Sequence, residues 1–97
     1  MFKIVSTERI APKEYDFWVE APRIAARTKP GQFVVIRTDE KGERIPLTIA
    51  DFNREKGLIR IIFQAVGKTT AAMAALKAGD SLLDVVGPLG TPSEIEN

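Results

Sequence analysis

The chain has 97 residues, 44% of them hydrophobic, enough for one compact core and too few for two domains, so residues 1–97 are read as one domain. Its 14 Lys and Arg against 13 Asp and Glu leave a formal charge of +1, and no broad field points to nucleic acid or to an anionic membrane surface. With no Cys and no His, disulfides, thiol nucleophiles, thiolate or imidazole metal sites and histidine acid/base catalysis are excluded within these residues. The opening MFKIVSTERI lacks the long apolar core of a signal peptide, and no apolar run approaches the roughly 20 residues of a membrane span, so a soluble, cytoplasmic protein is expected.

Short apolar or alternating runs separated by turn residues predict a small antiparallel barrel or sandwich with six strands and one helix. The first strand is Phe2 to Arg9, ended by Pro12. The second is Glu14 to Glu20, where Tyr15, Phe17 and Val19 alternate with Asp16, Trp18 and Glu20; Trp18 shares its face with two acids and reads as partly exposed scaffold. Ala21 to Thr28 reads as a loop or a single turn, and Pro30 with Gly31 launches the third strand, Gln32 to Arg37. After a polar turn from Asp39 to Glu43, the fourth strand runs from Ile45 to Ala50, with Pro46 marking an edge or a bulge because proline cannot donate to a ladder. Asn53 to Gly57 is a hairpin turn, and the near-continuous apolar run Leu58 to Ala65 predicts a fifth strand buried on both faces. An alanine-rich helix follows from Thr69 or Thr70 to Lys77, capped by a threonine, with Gly79 just beyond. Ser81 to Val86 is the sixth strand, and Gly87, Pro88, Leu89, Gly90 and Pro92 form an exit loop.

Two segments carry the chemistry. In RIPLTIADF, Arg44 to Phe52, the residues Arg44, Pro46 and Thr48 are two apart and project from one strand face. That face offers a cation, a stiff apolar surface and a hydroxyl along about 13 Å of extended chain. A guanidinium forks onto phosphate oxygens, and a hydroxyl both donates to and accepts from a ring nitrogen, so the set suits a phosphorylated cofactor with a flat aromatic head. The second segment, Val66 to Thr70, lies where a strand gives way to a helix, whose first N–H groups are unpaired and partly positive; Gly67 allows close backbone approach and a threonine hydroxyl adds a donor. Its GKTT resembles the end of a P-loop, but Ile62 stands where that motif needs a glycine and the antiparallel pattern supplies no βαβ unit, so a P-loop is rejected. Taken singly, Arg44 is a surface charge, Thr48 an ordinary strand residue and Gly67 part of a capped turn; the sequence also allows a small barrel used for protein contacts, a binding or scaffold module whose cofactor site is vestigial. A single-strand nucleic-acid barrel would need a basic groove with interleaved aromatics, which a charge of +1 and 7% aromatics do not supply.

Taken in order, PGQFVVI (30–36), RIPLTIADF (44–52), IIFQAVGKTT (61–70), LKAGD (76–80) and VVGPLG (85–90) resemble the flavin-binding barrel of the ferredoxin–NADP reductase superfamily over nearly the whole chain. Within it, the nearest likeness is to the electron-transfer subunits of dihydroorotate dehydrogenase and to the small subunits of sulfide dehydrogenase or NADH-dependent ferredoxin–NADP oxidoreductase. The resemblance implies an all-β, six-stranded antiparallel Greek-key barrel with one short α-helix. It implies FAD as cofactor and no metal within this domain. Arg44 would hold the FAD pyrophosphate, and Thr48 would sit beside the reactive ring nitrogen as the residue nearest the chemistry, with Pro46 and Leu47 shaping the wall. Gly67 and Thr70 match the family's glycine and hydroxyl at the helix start, with Lys68 and Thr69 offering backbone donors; Ile62, Phe63 and Gln64 match the strand along the ribityl and ribose.

Two departures bear on those roles: Ile45 stands where many members carry the arginine, as in the electron-transfer subunits, and Pro46 replaces a tyrosine that stacks on the flavin in plant-type reductases. Family members continue into an NAD(P)-binding domain, and the nearest relatives add cysteines for an iron–sulfur cluster; neither region is among these 97 residues. The chain is thus expected to be the FAD-binding barrel of an NAD(P)H-linked electron-transfer oxidoreductase, with the NAD(P)-binding domain and a partner oxidoreductase subunit as its associates and neither nucleic acid nor membrane among them.

Overall fold

A computed structural model describes residues 1–91. Its elements are β1 (Phe2–Ala11), β2 (Glu14–Glu20), α1 (Pro22–Arg27), β3 (Phe33–Arg37), β4 (Ile45–Asn53), β5 (Leu58–Gln64), α2 (Lys68–Ala74), β6 (Ser81–Leu82) and β7 (Asp84–Leu89). The strands pair antiparallel in the spatial order β6-β1-β2-β5-β4-β3-β7. The β3-β4-β5 meander returns to lay β5 against β2, which is the Greek-key arrangement. At the two ends of that order stand β6 and β7, parted in sequence by Leu83 alone, so the sheet's edges nearly meet and the barrel is nearly closed. The Leu83 N–H donates to the Thr38 carbonyl at 3.2 Å, fixing the corner.

Seven strands therefore replace the six expected. The run from Ser81 to Val86 is not one strand: β6 pairs with β1 and β7 with β3, and the bend at Leu83 lets one segment serve two neighbours. The expected exit loop at Gly87 to Leu89 belongs to β7, and Pro92 lies outside the described residues. Ala21 to Thr28 is more than a turn, since Pro22 to Arg27 form a helix with proline in its first turn, where no N–H is needed. Ile24 and Ala25 are buried by it, and Thr28 Oγ1 donates to the Ile24 carbonyl at 2.7 Å. Six residues are too few to show a helical period.

The core is the inward half of an alternating pattern. Tyr15, Phe17 and Val19 stand opposite Phe63, Ile61 and Ile59, and all but Tyr15 are buried. Phe63 packs edge-on to Phe17 with ring centres 5.0 Å apart and is stacked with Tyr15 at 5.9 Å. Contrary to expectation, β5 is buried on one face only: Ile59, Ile61 and Phe63 point in, while Ile62 and Gln64 are exposed. The other face is the outside of a barrel with no layer over it among the described residues, so an apolar run there does not imply burial. On that outer wall the buried Asp16 accepts from Arg60 Nε at 2.9 Å and from Nη2 at 2.6 Å. The hydrogen bond from Arg60 to Asp16 raises the arginine's pKa above its ordinary value. The same guanidinium lies 6.0 Å from the Trp18 ring centre, so the tryptophan is part of the wall.

Phe17→Ala should lower stability by about 3–5 kcal/mol, because a large side chain is deleted from a fully buried position; an unfolding midpoint in urea close to that of the parent would contradict this core. Gly57 has φ +69° and its carbonyl accepts from the Ala21 N–H at 2.8 Å, while an added Cβ would lie 2.9 Å from Pro22 Cβ. Gly57→Ala should therefore cost at least about 1–2 kcal/mol, the usual penalty for a left-handed L-residue, readable in the same titration.

Candidate functional site

Along the start of β4 the side chains alternate as the spacing requires: Arg44, Pro46 and Thr48 are exposed, while Ile45 and Leu47 pack toward the core and Ile49 is buried. The Leu47 side chain thus faces the opposite way from Pro46, so it is its main chain that lies on the outer edge. The β4–β5 ladder begins only at Ile49 opposite Ile61, and an irregularity between Ile49 and Asp51 adds one residue to β4. From Ile45 to Thr48, β4 pairs with β3 alone; from Ile62 to Gln64, β5 pairs with β2 alone. The two strands diverge here and leave a main-chain edge open on each. Pro46, with no N–H to contribute, sits on that edge, as its presence in the sequence implied.

Pairing brings further groups to the outer face. Thr48 lies opposite Phe33, and Phe33 opposite Leu89; Pro46 lies opposite Val35, and Val35 opposite Val86, which is 50% exposed. Three strands therefore present an apolar platform beside the Thr48 hydroxyl. At its far end Arg44 Nη2 is 3.9 Å from Asp84 Oδ2, with both side chains about half exposed. Such a pair is worth at most about 1 kcal/mol, so Asp84 steadies the guanidinium without committing it. Phe33, Val35 and Val86 could not be picked out from the sequence, because their nearness to Pro46 and Thr48 is set by cross-strand register.

The helix start differs from expectation in its cap. Gly67, not a threonine, is the N-cap of α2, and Ala71 makes the first intrahelical bond to the Gly67 carbonyl at 2.9 Å. Thr70, in the third helical position, accepts from the Gly67 N–H at 2.9 Å and donates back to its carbonyl at 3.2 Å. The helix ends at Ala74, short of Lys77, because the Lys77 N–H turns to Asp80 Oδ2 at 2.8 Å. Gly67 has extended backbone that any residue adopts, and an added Cβ would meet only Thr70 Oγ1 at 3.6 Å. Neither backbone strain nor crowding within the described residues requires glycine there.

Across from this helix start, a groove of about 330 Å³ is lined by Thr38, Asp39, Lys41, Gly42 and Glu43 on one side and Lys68, Thr69 and Ala72 on the other. It brings Glu43, the residue before Arg44, and the start of α2 to the same cleft. Of the other expected residues, Ile62 and Gln64 are exposed on β5, while the Phe63 side chain is 3% exposed and turned into the core, so position 63 could meet a ligand only through its main chain. Among the described residues no cluster of Asp or Glu could hold a metal, and no helix is long and apolar enough to cross a membrane.

No protein-family model matches the chain. It is 56% identical over 95 residues to the "dihydroorotate dehydrogenase B (NAD(+)), electron transfer subunit homolog" of Thermotoga maritima, covering 98% of this chain and 34% of that protein. The "dihydroorotate dehydrogenase B (NAD(+)), electron transfer subunit" of Desulforamulus reducens is 36% identical over 91 residues, 91% of this chain and 34% of its own length. Among solved structures, one of the NADH-dependent reduced ferredoxin–NADP oxidoreductase, described for flavin-based electron bifurcation, superposes with TM-score 0.96 at 55% identity over 100% of this chain and 35% of that one. A ferredoxin–NADP+ reductase from Neisseria gonorrhoeae, solved with FAD and NADP, matches at TM-score 0.68 and 19% identity over 89% of this chain and 37% of its own, which speaks for the fold alone. The chain spans about a third of the length of these relatives. By sequence the chain is similar to about one third of dihydroorotate dehydrogenase B-type electron-transfer subunits, and its fold is that of the ferredoxin–NADP reductase-like barrel.

Proposed function

We propose that this barrel binds FAD and forms the flavin-holding part of an NAD(P)H-linked electron-transfer oxidoreductase. The observation that carries the reading is the divergence of β4 from β5: it opens two main-chain edges beside an exposed row of Arg44, Pro46 and Thr48. A flat ring laid on Pro46, Val35 and Phe33 would meet the Thr48 hydroxyl at its edge. Arg44 would take the pyrophosphate from one side, and the first N–H groups of α2 from the other. The open space at Gly67 fits this role, since nothing in the fold itself calls for glycine there.

When bound, FAD supplies the redox chemistry, accepting hydride from a nicotinamide and passing electrons on singly. The chain's residues bind and orient. Thr48 would hold a hydrogen bond at the reacting ring nitrogen and so fix its protonation geometry; Pro46 would keep the ring flat against the sheet, and Arg44 would neutralise phosphate charge. The nicotinamide site would come from an NAD(P)-binding domain, and the electron acceptor from a partner subunit. The setting that goes with this reading is cytoplasmic.

Titration of FAD and FMN into the purified chain, alone and joined to the remaining two thirds of the Thermotoga relative, tests the reading through flavin absorbance and fluorescence. Saturable FAD binding is expected; no binding of either flavin in both forms would leave the scaffold reading in its place. Arg44→Ala and Thr70→Ala should each weaken FAD binding by about 1.5–3 kcal/mol, the scale of a lost charge-assisted hydrogen bond or of a disturbed donor. Gly67→Ala separates fold from ligand: stability should fall by less than about 1 kcal/mol. FAD affinity should nevertheless drop about tenfold, or roughly 1.4 kcal/mol. Unchanged affinity in all three variants would mean the phosphates lie elsewhere.

A further inference from the structure

We propose that α1 and the 53–57 turn form a docking surface for an acidic segment of another protein, one that carries a large apolar side chain among its carboxylates. The surface uses none of the residues assigned to flavin and does not rest on that reading. From Pro22 to Lys29 the sequence holds three cations, Arg23, Arg27 and Lys29, and no acid, although the whole chain is nearly neutral. The fold adds Arg54 and Lys56. The N–H of Ala21, the N-cap of α1, donates to the Gly57 carbonyl at 2.8 Å, and Arg54 Nη2 donates to the carbonyl of Thr28, the C-cap, at 2.8 Å. The turn is thereby laced to both ends of the helix. All five cationic side chains are exposed, and none forms an ion pair among the described residues.

The helix itself does not call for this charge. Arg27 in the last turn suits the helix dipole, but Arg23 stands in the first turn, where an acid is favoured and none is present. The two arginines are four apart, so like charges face each other across one turn. Beside Arg23 lies a hollow of about 320 Å³, whose other lining residues, Phe2, Ala21, Pro22, Ile24 and Val85, are all apolar. A hollow of that kind takes the apolar anchor of a protein contact, and the guanidinium at its side offers a fork to a neighbouring carboxylate.

Charge and shape together select the occupant. A second copy joined through the same face would set cation against cation. An anionic membrane takes up apolar side chains that project, whereas here the apolar surface is recessed. Single-stranded nucleic acid needs open rings to stack on, and the Phe52 ring lies 4.9 Å beneath the Arg54 guanidinium. An acidic segment with an apolar anchor satisfies both the cations and the hollow.

The probe is a short synthetic peptide with one leucine set among glutamates, titrated into the purified chain and followed by backbone amide NMR shifts. Saturable shifts are expected at α1 and the 53–57 turn, with affinity falling as salt rises. Replacing the leucine of the peptide by alanine should weaken binding about tenfold. Arg23→Glu combined with Arg27→Glu should weaken it at least about tenfold. Arg23→Glu alone should leave the unfolding midpoint equal or higher, because it supplies an acid to the first turn, so lost binding would not reflect a lost fold. Excess FAD should leave the peptide affinity unchanged. Failure of the peptide to bind, equal binding of the leucine and alanine peptides, indifference to the charge reversal, or competition by FAD would overturn the proposal. So would tighter binding, through the same arginines, of a single-stranded oligonucleotide or of anionic phospholipid vesicles.

Discussion

The barrel depends on one alternation of inward- and outward-facing side chains, of which β2 and β5 are the reference pair. Phe17 against Ile61, and Val19 against Ile59, lock that register by burial, and a one-residue slip would place Asp16 and Arg60 in the core. The same parity, passed through β5 to β4 and β3, decides which residues face out. Arg44, Pro46 and Thr48 form a row because Ile45, Leu47 and Ile49 are held toward the core. The site's geometry is thus the complement of the packing.

Where the alternation is interrupted, the ladder opens. The extra residue between Ile49 and Asp51 turns β4 away from β5, and beyond it the two strands have a neighbour on one side only. An exposed edge of this kind is ordinarily a hazard, because unpaired main-chain groups invite another strand. Pro46 blunts the hazard by removing a donor at the middle of the edge, and the change of course that opens it also makes room for something other than a strand. The proposed binding role and protection from aggregation would then share the same few residues.

Much of this was legible in the sequence. The strand from Glu14 to Glu20 has its observed bounds because its alternation is unbroken, and the Arg44, Pro46, Thr48 row follows from a period of two alone. Pro46 marked the open edge for a stereochemical reason. Other features depend on tertiary context and left no local signal. Burial of Ile62 could not be judged without knowing that the outer face of β5 carries no layer, and Leu83 became a corner only because β6 and β7 find different partners. A threonine near a helix start suggests an N-cap, but here Thr70 reaches back from the third position to Gly67, which is the cap. The apolar platform of Phe33, Val35 and Val86 was invisible, since pairing across strands far apart in sequence assembles it.

The end of β7 is anchored where it can matter most. Gln32 Nε2 donates to the Gly90 carbonyl at 2.9 Å, and Leu89 lies opposite Phe33, which in turn lies opposite Thr48. The polypeptide therefore reaches Gly90 two strands from the Thr48 hydroxyl. For any longer protein built on this barrel, that exit acts as a short tether: a segment attached there is confined to the neighbourhood of Thr48 at high effective concentration before it makes a single contact of its own.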